Sequence, residues 1–146
     1  MLRLQRRGGW IVVELGLRTA IGLEFVYAGW SKVGDPLGFA DSVASFAILP
    51  NAIVSIFALA LPIFEIIAGL LILGGRPRRI GAAAVFVLSL IFVIALAQAL
   101  ARGLDVNCGC FGPGASTTNP WIDLVRNLFT VAGCAIIYVL QARAKA

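Results

Sequence analysis

Two cysteines separated by one residue form the most reactive pair of side chains in the sequence. Cys108 and Cys110 flank Gly109 in a segment rich in glycine and polar residues. A disulfide requires Cα atoms about 4.4–6.8 Å apart, and two extended residues span about the upper limit. A bend at Gly109 brings the sulfurs within range, and the small ring that results is strained. Strained, exposed disulfides are the labile or catalytic kind, so the pair predicts thiol–disulfide exchange.

Two other uses of the cysteine pair remain open on these residues alone. A structural disulfide would pin the loop, and two thiolates can capture a soft ion such as Cu(I) or Hg(II). The sequence contains no histidine, which excludes imidazole metal sites and His-assisted activation of a cysteine. Two sulfurs without further ligands make a poor closed zinc site, so we predict no resident metal. The third cysteine, Cys134, stands alone in an apolar stretch and is expected to pack as a small hydrophobe.

The elements that must position these residues are those of an all-α membrane protein. Hydrophobic residues make up 60% of the 146-residue chain and charged residues 13%, whereas soluble domains have about 45–50% and about 25%. Four apolar stretches reach the roughly 20 residues that a membrane-spanning helix requires. They predict one domain over residues 1–146, a four-transmembrane-helix bundle with helices at about 10–30, 52–73, 80–101 and 121–140 and outer loops at about 31–51 and 102–120.

The distribution of basic residues orients the predicted bundle. With four crossings, two basic residues, Lys32 and Arg102, border the outer loops, and eight fall on the other side: Arg3, Arg6, Arg7, Arg76, Arg78, Arg79, Arg143 and Lys145. The positive-inside rule therefore predicts that both termini are cytoplasmic. In a bacterial inner membrane the cysteine pair would face the periplasm, where disulfides persist. The net charge of +5 then reflects orientation in a lipid bilayer, and no nucleic-acid partner is expected.

The first outer loop contains the signature of a short helix. Asp35 followed by Pro36 is typical of an N-cap with proline at the first helical position. Apolar residues then recur at helical spacing until Pro50. We predict a helix over about 36–48 that lies at the membrane interface.

Ionisable side chains inside the predicted helices require partners, because unpaired charges in lipid are costly. Glu14 and Arg18 share one face of the first helix. Counting residues inward from the outer helix ends gives Arg18 and Glu65 similar depths, which predicts an ion pair between them. Glu24 and Arg126 lie nearer the outer surface and form a second predicted pair.

A polar stripe in the fourth predicted helix begins just below the cysteine loop. Asp123, Arg126 and Asn127 fall on one face and should point into the bundle. Together with Lys32 they are expected to support the cysteines, since a nearby cation favours the reactive thiolate. The alternative is a purely structural role, in which the buried charges fix the register of the helices.

The motifs together resemble those of the MauE/DoxX family of redox-associated membrane proteins. The resemblance covers nearly the full length and rests on five features: Gly29-x-x-Lys32, then Asp35-Pro36, then Pro62, Glu65 and Gly69, then Cys108-Gly-Cys110-Phe-Gly, and finally Arg126-Asn127.

This resemblance implies a bundle that works with thiol redox chemistry outside the cytoplasm, beside a thioredoxin-like periplasmic partner and as a subunit of a larger membrane complex. MauE-type proteins are associated with maturing the disulfide-rich small subunit of methylamine dehydrogenase, whereas DoxX-type relatives suggest a donor such as thiosulfate. The fold is similar to that of quinone-linked disulfide-forming enzymes, which implies a thiol–disulfide oxidoreductase with a quinone acceptor, although those enzymes carry two cysteine pairs. The alternative is a non-enzymatic membrane scaffold or assembly factor with a structural disulfide.

Overall fold

The structure is helical throughout the part of the chain that it describes. A computed structural model describes residues 2–74, 78–104, 106 and 119–143, and these form five helices. Their bounds are α1 Leu2–Gly34, α2 Pro36–Ser45, α3 Asn51–Leu73, α4 Arg78–Ala101 and α5 Pro120–Arg143. The all-α prediction is confirmed, and each of the four predicted apolar helices coincides with a long helix. The predicted short helix is present as α2, which ends at Ser45 rather than at Ile48 because Ala47 leaves the helical region with φ +50°.

Three helices in the described residues are long and apolar enough to cross a membrane. They are α3, residues Arg79–Ala101 of α4 and residues Pro120–Gln141 of α5, with mean hydropathies of 2.6, 2.8 and 1.6. α1 has 33 residues, about 50 Å of helix, but four charged side chains interrupt its apolar stretch: Glu14, Arg18, Glu24 and Lys32. A crossing by α1 therefore stays a prediction.

Glycines let α1, α3 and α4 approach closely. A Cβ atom at Gly69 of α3 would lie 2.8 Å from the carbonyl oxygen of Gly22, and one at Gly29 of α1 would lie 2.7 Å from that of Pro62. Gly81 of α4 similarly faces the backbone of Ile72, 2.6 Å from its nitrogen. These contacts show that α1 and α3 are antiparallel and that the C-terminal end of α1 packs half-way along α3.

Three apolar clusters in the described residues hold the helices together, and the smallest joins α2 to α3 through Phe39, Ala58 and Leu61. The largest joins α1, α3, α4 and α5 and consists of Ile21, Phe25, Ala68, Ile72, Ala82, Val85, Cys134 and Ile137. The second joins the end of α2 to α4 and to Val106, which is 4% exposed, and consists of Phe46, Leu96, Ala99 and Val106. Cys134 is 1% exposed, in agreement with its expected packing role.

Backbone caps fix the ends of α2 and α4. The Asp35 carboxylate accepts a hydrogen bond from the Gly38 amide at 2.9 Å, with Pro36 in the first turn, so the predicted N-cap of α2 is confirmed. α4 ends at Ala101, and Gly103, two residues further on, has a φ of +67°, which favours glycine. The amides of Gly103 and Leu104 then donate to the carbonyls of Leu100 and Ala99, both at 3.0 Å, which completes a Schellman motif.

Candidate functional site

A buried ion pair between Lys32 and Glu65 links α1 to α3. The Lys32 Nζ atom lies 2.6 Å from both carboxylate oxygens of Glu65, and the two side chains are 1% and 3% exposed. The rings of Phe39 and Phe92 flank the ammonium, with centroids 5.0 and 5.2 Å from Nζ. A buried charge is tolerated when it is paired in this way, and the aromatic faces add cation–π attraction.

The predicted Arg18–Glu65 ion pair is wrong. Arg18 donates instead to the carbonyl oxygens of Ile72, Leu73 and Gly74 at 3.0–3.2 Å, and so caps the C-terminal end of α3. The prediction counted depth from helix ends that were assumed to be level. Because Gly29 packs against Pro62 and Gly69 against Gly22, Glu65 lies beside the last turns of α1, within reach of the long Lys32 side chain. The last carbonyls of a helix have no partner within it, which explains why the Arg18 cation is stable there.

Arg126 joins two carboxylates near the start of α5. Its Nε atom lies 2.9 Å from Glu24 Oε1 of α1, the pairing that depth predicted, and its Nη1 atom lies 3.5 Å from Asp123 Oδ1. Asp123 is 1% exposed, whereas the Arg126 and Glu24 side chains are about a quarter exposed. The Arg126 guanidinium also repels the Lys32 ammonium and attracts the Glu65 carboxylate. These five residues, Glu24, Lys32, Glu65, Asp123 and Arg126, are called the charge cluster below.

The remaining polar residues of α5 face the interior, as the stripe predicted. Asn127 is 7% exposed and donates to the Asp123 carbonyl at 2.9 Å, and Thr130 is 5% exposed and donates to the Arg126 carbonyl at 3.1 Å. Both bonds lie within α5, so these side chains satisfy themselves locally. Among the described residues, the Asp123 carboxylate oxygens and Ser89 Oγ of α4 are buried without a hydrogen-bond partner. Such groups make the neighbourhood of Asp123 polar although it is buried.

Glu14 lies at the end of the bundle opposite Val106 and Asn119, the described residues on either side of the cysteine segment, residues 107–118. Its carboxylate accepts a hydrogen bond from Gln141 Nε2 of α5 at 3.2 Å. Arg79 of α4 donates to the Gln141 carbonyl at 2.9 Å. Glu14 therefore links α1 to α5. It lies about three helical turns before Glu24 in α1 and is not part of the charge cluster.

The cysteines Cys108 and Cys110 lie outside the described residues. The structure does describe the residues that bracket them. Val106 is buried in the cluster with Phe46, and Asn119 caps α5 by accepting a hydrogen bond from the Trp121 amide at 3.1 Å. Asp123 and Arg126 occupy the first two turns after that cap, so the polar end of α5 directly follows the cysteine segment in the chain.

Sequence reasoning missed the partner of Lys32 and its aromatic neighbours. Lys32 was assigned to a loop edge, but α1 continues to Gly34 and Lys32 is among the most buried side chains of the described residues. The helical spacing of Gly22, Phe25, Gly29 and Lys32 along one face of α1 was a usable signal, since all four are buried. Nothing in the sequence indicated that Phe39 of α2 and Phe92 of α4 would meet over it.

Three apolar helices of membrane length, packed around buried ion pairs, define a multi-pass helical membrane protein. Comparison with protein families is consistent with this class, because the family model of the methylamine utilisation protein MauE matches residues 10–140. The chain belongs to the MauE family.

One curated relative illustrates the family membership. The chain is 35% identical over 125 residues to the methylamine utilization protein MauE of Paracoccus denitrificans, across 83% of this chain. It spans 66% of the length of that relative. No solved structure matches the chain. The family match covers α2, α3 and α4 in full and most of α1 and α5, and with them the whole charge cluster.

Proposed function

We propose that this protein is a membrane thiol–disulfide redox protein whose Cys108 and Cys110 cycle between dithiol and disulfide. The observation that carries the proposal is the charge cluster, five ionisable side chains between the middle of the bundle and the end at which Asn119 precedes α5. Ionisable residues inside a membrane protein are costly and usually functional. Here they adjoin the segment that contains the two thiols.

Covalent geometry supports a location of the thiols near this end of the bundle. Val106 is fixed in the α2–α4 cluster, and Cys108 follows it by two residues, a span of at most about 7 Å between Cα atoms. Arg102, at the end of α4, brings positive charge to the same end, whereas Glu24 and Asp123 offset the charge of Arg126. A nearby cation stabilises a thiolate, the form that attacks a disulfide.

The proposed reaction is reversible exchange with a thioredoxin-like partner. One thiolate attacks a sulfur of the partner disulfide, the partner S–S bond breaks, and the second partner sulfur leaves as a thiolate. The other cysteine of the pair then loses its proton and attacks the mixed disulfide, which completes transfer of two electrons to the partner. The reverse sequence oxidises the partner. A membrane quinone is the proposed acceptor when the dithiol must be reoxidised.

The proposed topology has four crossings with both termini in the cytoplasm, in a bacterial inner membrane. α1 supplies the fourth crossing because its charges are satisfied internally: Lys32 by Glu65, Glu24 by Arg126, and Arg18 by carbonyls of α3. This topology exposes the cysteine segment to the oxidising compartment. We further propose a role in methylamine utilisation, as the name of the Paracoccus relative indicates, within a larger complex.

Single-cysteine variants test the proposal directly. Cys110→Ser and Cys108→Ser, each made in a Cys134→Ala background, remove the resolving thiol while retaining one nucleophile. Cys134 is 1% exposed in the core, so Cys134→Ala alone is the matched control. We expect one of the two variants to accumulate a disulfide-linked adduct with a periplasmic protein, which non-reducing electrophoresis and mass spectrometry identify.

Two outcomes would contradict the proposal. The first is that neither variant traps an adduct and both support growth on methylamine as the control does, which would favour a scaffold with a structural disulfide. The second is that a membrane-impermeant maleimide applied to intact spheroplasts fails to label reduced Cys108 and Cys110, which would place them on the cytoplasmic side.

A further inference from the structure

An apolar cavity lies between α2, α3 and α4, beside the charge cluster but separate from it. Its volume is about 180 Å³, and its walls are hydrocarbon side chains alone. An apolar cavity of about 150 Å³ stays dry and takes up apolar ligands in other proteins. Phe39 and Phe92 form the wall towards Lys32, so the ammonium is screened from the cavity by their rings.

The cavity opens on the surface that faces lipid. Ile48, Phe57 and Ile91 form part of its rim and are 44%, 39% and 51% exposed. Phe57 and Ile91 belong to helices that are long and apolar enough to cross a membrane. The medium at the mouth is therefore hydrocarbon, and a hydrocarbon chain is what can enter.

A cation marks the outer end of the same cavity. Arg102 is exposed, and its Nη1 atom lies 3.4 Å from the carbonyl oxygen of Phe46, a cavity residue. From Leu88 at the bottom of the cavity to Arg102 there are 14 residues, about 21 Å of helix rise. One leaflet with its head groups is about 20–22 Å thick. The spacing of cation and cavity thus matches one phospholipid of the outer leaflet.

We propose that this cavity and Arg102 together bind one anionic phospholipid, with a single acyl chain between α2, α3 and α4 and the phosphate at Arg102. The walls offer no side-chain donor or acceptor for a polar ring, which favours an acyl chain over a quinone head group. The acyl-chain site is independent of the thiol chemistry, because its walls include no cysteine and no member of the charge cluster. Arg102 is shared, since the proposed function also uses it as a cation near the thiols.

Photocrosslinking tests the site in the full-length protein. The protein is reconstituted in phosphatidylcholine nanodiscs with a minor fraction of phosphatidylglycerol that carries a diazirine on one acyl chain. A diazirine near the chain end should label Leu61 and Leu88, and one near the ester should label Phe46 and Ile48. Phe129 on α5, which is 74% exposed, reports unspecific lipid contact. Labelling of Phe129 at the same yield as Leu61 would overturn the proposal.

Variants separate the chain site from the head-group site. Ala95→Phe fills the cavity and should abolish labelling of Leu61, whereas the control Ala97→Phe, at an exposed position of the same helix, should not. Arg102→Gln should reduce labelling by phosphatidylglycerol about fivefold, as expected for one surface cation, and labelling by a phosphatidylcholine probe much less. Equal labelling of Leu61 in the Ala95→Phe and Ala97→Phe proteins would contradict the proposal. Stronger labelling by a diazirine isoprenoid quinone than by the phospholipid would also contradict it. The unmodified protein gives the depth pattern even if a variant fails to fold.

Discussion

Breaking the Lys32–Glu65 ion pair on one side should destabilise the protein far more than replacing both partners. The pair is buried, with side chains 1% and 3% exposed and both carboxylate oxygens 2.6 Å from Nζ. Glu65→Leu leaves an ammonium without its counter-ion between α1 and α3. Loss of one partner of a buried pair costs about 3–5 kcal/mol, which is about two to three and a half decades in the unfolding equilibrium constant.

The double variant Lys32→Met/Glu65→Leu should recover most of that loss. Buried pairs replaced by apolar residues of similar volume are often neutral or stabilising, and Phe39 and Phe92 already provide apolar neighbours for the methionine. Unfolding in mixed detergent micelles, followed by tryptophan fluorescence, gives the free energies for a double-mutant cycle. Asp41→Asn on the exposed face of α2 is the control for loss of a carboxylate and should be near neutral.

The cycle also gives the result that would refute this reasoning. If the destabilisation of the double variant equals the sum of the two single variants, the side chains do not interact and Glu65 is not the partner of Lys32. A repeat of the cycle with Arg18→Met and Glu65→Leu should be close to additive, because Arg18 bonds to carbonyls of α3. Strong coupling in that second cycle would restore the pairing that the sequence predicted.

Three further predictions concern the contacts of α1 with its neighbours α2 and α3. Gly69→Ala should lower the free energy of unfolding by about 1–3 kcal/mol, because its Cβ would lie 2.8 Å from the Gly22 carbonyl oxygen. The control Gly16→Ala, whose Cβ meets nothing within 4 Å, should be neutral or stabilising. Equal effects of the two substitutions would exclude close packing of α1 and α3 at Gly69. Arg18→Met should cost about 1.5–3 kcal/mol through lost charge-assisted bonds to the end of α3, and an unchanged unfolding free energy would argue against the cap. Phe39→Leu should lower the free energy of unfolding by about 0.5–2 kcal/mol through the lost cation–π contact. The same substitution should have a smaller effect in the Lys32→Met protein, which has no cation at that position. The same micelle unfolding assay measures all three.

Much of the fold follows from patterns that lipid imposes. Apolar stretches of bilayer length predict helices wherever the backbone must satisfy its own hydrogen bonds, and α3, α4 and α5 lie within a few residues of their predicted bounds. Asp35 and Pro36 predicted the start of α2 because capping chemistry is local. The Glu24–Arg126 contact could also be predicted. Glu24 lies towards the C-terminal end of α1 and Arg126 towards the N-terminal end of α5, which were predicted to be at the same side of the membrane.

The offset between α1 and α3 could not be read from the sequence. It depends on where glycines let two backbones meet, and Gly22, Gly29 and Gly69 set it together. The C-terminal end of α1 packs against the middle of α3, whereas the prediction placed it level with the start of α3. Lys32 is therefore in the interior rather than at a loop edge, and it replaces Arg18 as the partner of Glu65. Tertiary contacts between distant segments, such as Phe39 and Phe92 over Lys32, carry no local signal.

The reduction potential of the Cys108–Cys110 pair tests the proposed thiol chemistry most directly. The Cys134→Ala protein is equilibrated in nanodiscs with thiol buffers of defined potential, and the fraction of free thiols is measured by alkylation and mass spectrometry. An exchange-active pair should titrate as a two-electron couple well above about −300 mV. A potential below about −300 mV, typical of structural disulfides, or no disulfide at any potential, would contradict the proposed function.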